Sequence, residues 1–181
     1  HDFAGKKEIM HFVLKCTIHP EFAHQEFERP ITDELFANIE NEIVAVLDKN
    51  AADFAAHLEQ DASQFDFEAL ISAAFDLLAK YAVGCLFIEK NQFDFPFLAD
   101  HYKLYRMTFF DTITRYIAVF VQNGTVRPLK HPALTTTLIV EILTWWAMDR
   151  RFTSFEPLDI PLALAKGVCM DNILTAYQVK N

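Results

Sequence analysis

Apolar residues recur every three or four positions along nearly all of this 181-residue chain, the spacing of amphipathic helices. The pattern is clearest over residues 102–150. Tyr105, Phe109, Ile113, Tyr116 and Phe120 form one stripe, and Leu134, Leu138, Ile142, Trp145 and Trp146 form another after His131 and Pro132. Gly124 stands where a helix C-terminus favours a left-handed residue, and Pro128 follows where no helix needs a donor. The spacing therefore predicts two long aromatic-rich helices joined by one turn at 122–128.

The remaining segments extend the same reading. Residues 6–18 make a short first helix that stops near His19 and Pro20, and a polar break runs on to Pro30. Residues 31–48 place Leu35, Ile39, Ile43 and Val46 on one side and acids on the other, with Thr32 as a cap and Asp33 and Glu34 favouring the helix dipole. Residues 51–59 either extend that helix or form a separate turn. Residues 66–90 are apolar on more than one side and should be central, 91–96 break the pattern, and the long helix then reaches Asn123. A last helix over 159–177 tolerates Pro161 in its first turn. No repeat, low-complexity tract or convincing strand interrupts the series. The fold class predicted is all-α, an antiparallel bundle of about six to seven helices.

Composition alters this picture in three ways. Eighteen phenylalanines are more bulk than a plain bundle needs, which points to an aromatic-walled cavity or an apolar interface as readily as to a solid core. The net charge of -9 is concentrated: residues 31–79 carry eleven acids against Lys49 alone, so the rest is near neutral. Such a face repels phosphate, and the chain on its own does not read as a nucleic-acid binder. Cys16, Cys85 and Cys169 are odd in number, far apart and set in apolar sequence, which reads as buried thiols of a cytoplasmic protein and not a disulfide framework. No apolar run reaches membrane-spanning length, and no signal peptide is read in the opening residues.

Enzymatic motifs are sparse. There is no glycine-rich phosphate loop and no nucleophile elbow, and only Ser63, Ser72 and Ser154 stand as serine candidates. Glu21 and His24, one helical turn apart with His19 nearby, are the best metal candidates. A di-iron bundle requires a second such pair, and the sequence has none. The chain is read as a non-enzyme with no cofactor and no metal. A metal or redox bundle using Glu21 and His24, or a structural module that binds partner helices, are the alternatives. Trp145 and Trp146 point about 100° apart on a helix. They satisfy either core packing or a ligand-binding dimer with one pocket wall and one interface anchor. Thr112, Arg115, Thr135, Thr136, Thr137, Glu141 and Thr144 interrupt apolar helices, as the polar groups of a small-molecule site do.

From about residue 66 to 177, the order of these features resembles the ligand-binding and dimerisation domain of TetR-family transcriptional regulators. The resemblance rests on the central helix near 70–87, the helix ending in Phe120-Val-Gln-Asn-Gly-Thr-Val-Arg-Pro128, the following Glu141-Ile-Leu-Thr-Trp-Trp146 and an apolar last helix. The opening His1-Asp-Phe3-Ala-Gly-Lys6-Lys-Glu8-Ile9 is similar to the family's signature just after its DNA-reading helix. The resemblance implies that residues 1–14 are the end of a headpiece and the start of a connecting helix, with Lys6 matching a lysine that touches a DNA phosphate. Residues 15–181 are then the helical sensing and pairing domain. The three helices of the helix-turn-helix are not in this sequence, so operator DNA is expected only through such a headpiece. The implied effector is a small apolar or amphipathic molecule walled by Phe75, Tyr81, Tyr105, Phe109, Thr112, Tyr116, Glu141 and Trp145. The implied partner is a second copy, met through Leu138, Ile142, Trp146, Leu162, Ala165, Cys169 and Ile173.

Overall fold

The computed structural model describes residues 2–58, 65–156 and 159–180. His1, Glu59, Asp61 and Ser63, used in the sequence reading above, lie outside them. The architecture is an all-α bundle: α1 (Lys6–Ile18), α2 (Ile39–Ala55), α3 (Phe67–Lys80), α4 (Ala82–Lys90), α5 (Pro96–Gln122), α6 (Pro132–Thr144), a short α7 (Arg150–Phe152) and α8 (Leu162–Tyr177). Helix α5 runs through the middle and packs on α2, α3, α4 and α6. Helix α1 lies against α2 and α4 on one side, and α8 lies against α3 and α6 on the other. No single helix among the described residues is long and apolar enough to cross a membrane.

Several helix boundaries differ from the periodicity, each for a local reason. The first turn expected from residue 31 is a separate 3₁₀ turn, Asp33–Phe36, and α2 proper begins at Ile39. Thr32 makes no side-chain cap. The turn is held instead against α1, because Asp33 meets Lys7 at 2.7 Å and the buried His11 at 2.5 Å, while Phe36 packs on the His11 ring. Hydrogen bonding from Lys7 first, and then from His11, holds the Asp33 carboxyl below its usual range. At its other end α2 continues to Ala55 and tightens into a 3₁₀ turn, Ala56–Leu58, so the segment after Asp48 extends the helix.

The apolar run 66–90 is two helices with a 61° bend at Tyr81. Asp66 starts α3 by accepting the Ala69 N–H at 2.8 Å, a normal N-cap. The bend brings α4 against α1 at Gly84, where an added Cβ would lie 3.3 Å from the Thr17 hydroxyl. That close approach is a tertiary contact, and periodicity alone does not report it. The last helix likewise starts at Leu162, with Pro161 just before it supplying the carbonyl that Leu164 and Ala165 donate to.

Between α6 and α7 the backbone widens into a π-helical turn, Trp145–Asp149, where a continuous helix to Arg150 was expected. The wide turn sets Ala147 and Met148, adjacent in sequence, both fully into the core. It contacts α3, α4, α6 and α8, more neighbours than a surface turn requires. Arg151 secures it by donating to the carbonyls of Ala147 (2.9 Å) and Ala79 (3.1 Å).

The turn after α5 carries Gly124 at φ +79°, the left-handed conformation expected of it. The strand-like stretch that follows is tied to the end of α8: Arg127 N–H donates to the Tyr177 carbonyl at 3.0 Å and Val179 N–H to the Thr125 carbonyl at 2.8 Å. The Arg127 guanidinium adds a bond to the Ala176 carbonyl and lies over the Tyr177 ring.

Phe67 of α3 and Phe120 of α5 meet edge to face with centroids 6.1 Å apart, and both are almost wholly buried. Phe120→Ala should therefore destabilise the fold by about 3–5 kcal/mol in chemical denaturation. A loss under about 1 kcal/mol would mean that this contact is not part of a tight core.

Candidate functional site

Helix α5 brings the candidate site together. On the side facing α3 and α4 it presents Tyr102, Tyr105, Arg106 and Phe109, spaced by one helical turn. Opposite them stand Leu77 and Leu78 of α3, Tyr81 at the bend and Cys85 of α4, and α6 closes the space with Val140 and Thr144. The enclosed volume is about 20 Å³, room for a single water. A larger guest has to part the walls.

The polar groups of this space form one connected set. Tyr102 donates to Glu89 Oε1 at 2.8 Å, and Arg106 donates to the same oxygen at 3.0 Å. A carboxylate and a guanidinium thus offset each other at the edge of an apolar chamber. Burial pushes the Tyr102 and Tyr105 phenols above their usual range, and it pushes the Cys85 thiol up to about 11. These groups are neutral near pH 7 and act as hydrogen-bonding surfaces, not as charged nucleophiles. The Thr144 hydroxyl is buried with no hydrogen-bond partner among the described residues, and the Thr136 hydroxyl, two turns earlier on the same inward row, is in the same state. Buried hydroxyls normally find partners, so an orphan beside a cavity marks a place where a ligand atom can bond.

The structure brings together three of the residues expected to wall an effector: Tyr81, Tyr105 and Phe109. It places the others elsewhere. Tyr116 lies two turns along α5 and donates to the Phe54 carbonyl at 2.6 Å, while the Phe54 ring touches Phe109 at 5.0 Å. Thr112 and Phe75 are buried in the core outside the chamber. Glu141 and Trp145 point to the outer surface, because the buried row of α6 runs through Thr136, Ile139, Val140 and Leu143. Sequence reading missed Cys85, Glu89, Tyr102 and Arg106. Their signal was present as two polar pairs four residues apart, on adjoining helices.

The expected pairing surface divides in the same way. Leu138 and Leu162 are exposed, Ile142 and Trp146 are half-buried, and Ala165, Cys169 and Ile173 are buried within the chain. Those last three form the inner row of α8, whose packing partners are α3, α6 and the π turn, so they are not available to a second copy. The open row of α8 is Leu164 and Val168, which periodicity could not distinguish because the helix is apolar on both sides. Lys6 is exposed and pairs with Asp94 at 2.9 Å. Glu21 meets His19 at 3.3 Å in an exposed 3₁₀ turn that also holds His24. No cluster of three metal-ligating side chains occurs among the described residues.

Comparison with known proteins gives no match to a family model, to a curated protein or to a solved structure.

Two measurements test the chamber. Thr144→Val removes an unpaired buried hydroxyl while keeping the shape, and should stabilise the protein by about 1 kcal/mol, read as a higher Tm. Cys85 and Cys169 both hold their protons to about pH 11 in the folded chain, through burial. The unfolded chain gives them up near pH 8.5. Between those values the unfolded state binds fewer protons, so stability is full below about pH 8.5 and falls as pH rises toward 11. Urea unfolding of the Cys85→Ala, Cys169→Ala variant should show a flatter fall across that window than the parent. An identical slope would contradict the assignment.

Proposed function

We propose that this chain is the effector-binding and dimerisation domain of a TetR-type transcriptional regulator, acting in the cytoplasm through a DNA-binding headpiece outside these residues. One observation carries the reading. Thr144 and Trp145 are neighbours in sequence, yet Thr144 faces the buried chamber while Trp145 is 46 % exposed on the outside of the same helix. On this reading a sensor and a pairing surface share one backbone turn. The resemblance in the sequence supports the same division of labour.

The outer surface has the character that pairing needs. Leu134, Leu138 and Trp145 of α6 are 71 %, 51 % and 46 % exposed, and Leu164 and Val168 of α8 are 57 % and 52 % exposed. Helices α6 and α8 pack on each other, so these side chains stand on neighbouring helices, with the exposed Glu141 among them. An apolar surface of this kind marks an interaction site. Two copies joined through α6 and α8 would cover it in a four-helix contact.

In this reading an apolar or amphipathic effector enters beside Tyr81, Tyr105 and Phe109 and bonds to the Thr144 hydroxyl. Because the closed chamber holds only about 20 Å³, the ligand must favour an arrangement in which α6 has moved from α3 and α5. By linkage it then shifts the pairing geometry, and pairing shifts ligand affinity by the same factor.

Sedimentation velocity at micromolar concentration should show a dimer. The variant Leu138→Glu, Val168→Glu should sediment as a monomer with an unchanged far-UV spectrum, since both residues are on the outer surface. A wild-type monomer, together with no stabilisation by any compound in a thermal-shift screen of apolar and amphipathic molecules, would end the reading.

A further inference from the structure

A second, open cleft of about 320 Å³ separates α2 from α3, large enough for a small organic molecule. It is graded from end to end. The two helices run antiparallel here: the His57 ring, just past α2, stacks on Phe65, just before α3, at 4.3 Å and 7°. At the other end stand Lys80, the last residue of α3, and Tyr81 just after it. Asn50, Lys80 and Tyr81 therefore mark one end of the cleft, and Phe54, His57 and Phe65 the other. Asn50 and His57 are seven residues apart on one face, on the order of 10 Å.

Charge in this cleft is not what the acidic sequence suggests. Asp53 is engaged by Lys49, and Asp76 is engaged by Lys166 at 2.7 Å. Lys80 forms no ion pair among the described residues, and its ammonium lies 5.2 Å from the centre of the Tyr81 ring. The Asn50 Nδ2 is buried and has no acceptor among the described residues. Among the described residues, one end of the cleft thus offers a buried amide donor without an acceptor and an exposed ammonium outside any ion pair, and the other offers flat apolar walls.

We infer that this cleft binds a flat aromatic carboxylate. Its ring system lies against Phe54 and Phe65, and its carboxylate accepts from Asn50 Nδ2 and the Lys80 ammonium. A buried donor left unmatched is costly, and an ionised acceptor relieves that cost more strongly than a neutral one. An organic cation finds both carboxylates already occupied and Lys80 facing it. The site is separate from the inner chamber, with Leu77 and Tyr81 in the wall between them, and it does not depend on the regulator reading.

Titration calorimetry of the full chain with 2-naphthoate, 2-naphthylmethanol and 2-naphthylmethylammonium tests this. The naphthoate should bind at least about tenfold more tightly than either analogue, the margin of one charge-assisted bond. Asn50→Leu and Lys80→Gln should each bring naphthoate close to the alcohol, whereas Phe65→Ala should weaken all the probes alike. A naphthoate affinity lowered by Thr144→Val would place the probe in the inner chamber and overturn the inference. Equal or tighter binding of the ammonium probe, naphthoate binding indifferent to both polar substitutions, or no saturable binding of any probe by the folded chain would each overturn the inference.

Discussion

Helix α5 has to bury aromatic and aliphatic side chains on several sides at once, and the other helices are arranged by that requirement. Leu98, Ala99, Thr112 and Ile117 are buried beside the stripe of Phe109, Ile113, Tyr116 and Phe120, so the buried face of α5 is broad. Covering them takes α2, α3, α4 and α6 together. The Tyr116 hydroxyl then needs a partner inside that packing, and finds it in the Phe54 carbonyl near the end of α2. The buried row Ile39, Ile43, Leu47 and Phe54 holds α2 against α5, and the phenol bond adds to that packing.

The same constraint explains the inner chamber. Rings and leucines meeting from four directions cannot interlock without a remainder, and here the remainder is a space of about 20 Å³ edged by a neutralised ion pair and an unmatched hydroxyl. A dense apolar core would have excluded Glu89 and Arg106. Their pairing through Tyr102 makes the polar edge tolerable, because each charge keeps a partner as it leaves water.

Much of this was legible in the sequence, and the remainder was not for identifiable reasons. Period and punctuation located the helices, the glycine turn and the all-α class. They failed at residue 81, where a bend brings Gly84 against Thr17 on another helix, and at Trp145, where the helix widens to place Ala147 and Met148 side by side in the core. Tyr81, Tyr105 and Phe109 come together at one small cavity, because long apolar helices reveal their inner stripe. Glu141 and Trp145 stand on the outer side of α6, and Ala165, Cys169 and Ile173 on the inner side of α8. A helix apolar all round gives no phase, so only packing decides which row faces inward. Asn50 and Lys80 carry no sequence signature: their importance lies in what they are not bonded to.

The tie between the 123–128 turn and the end of α8 has a mechanical consequence. Backbone bonds from Arg127 and Val179, with a guanidinium laid over Tyr177, join the C-terminal ends of α5 and α8 into one rigid corner. Any swing of α8 must pivot there, so its displacement is smallest at Tyr177 and largest near Leu162. Among the described residues, the end of α8 near Leu162 has no such backbone tie and is held by the side chains of its inner row.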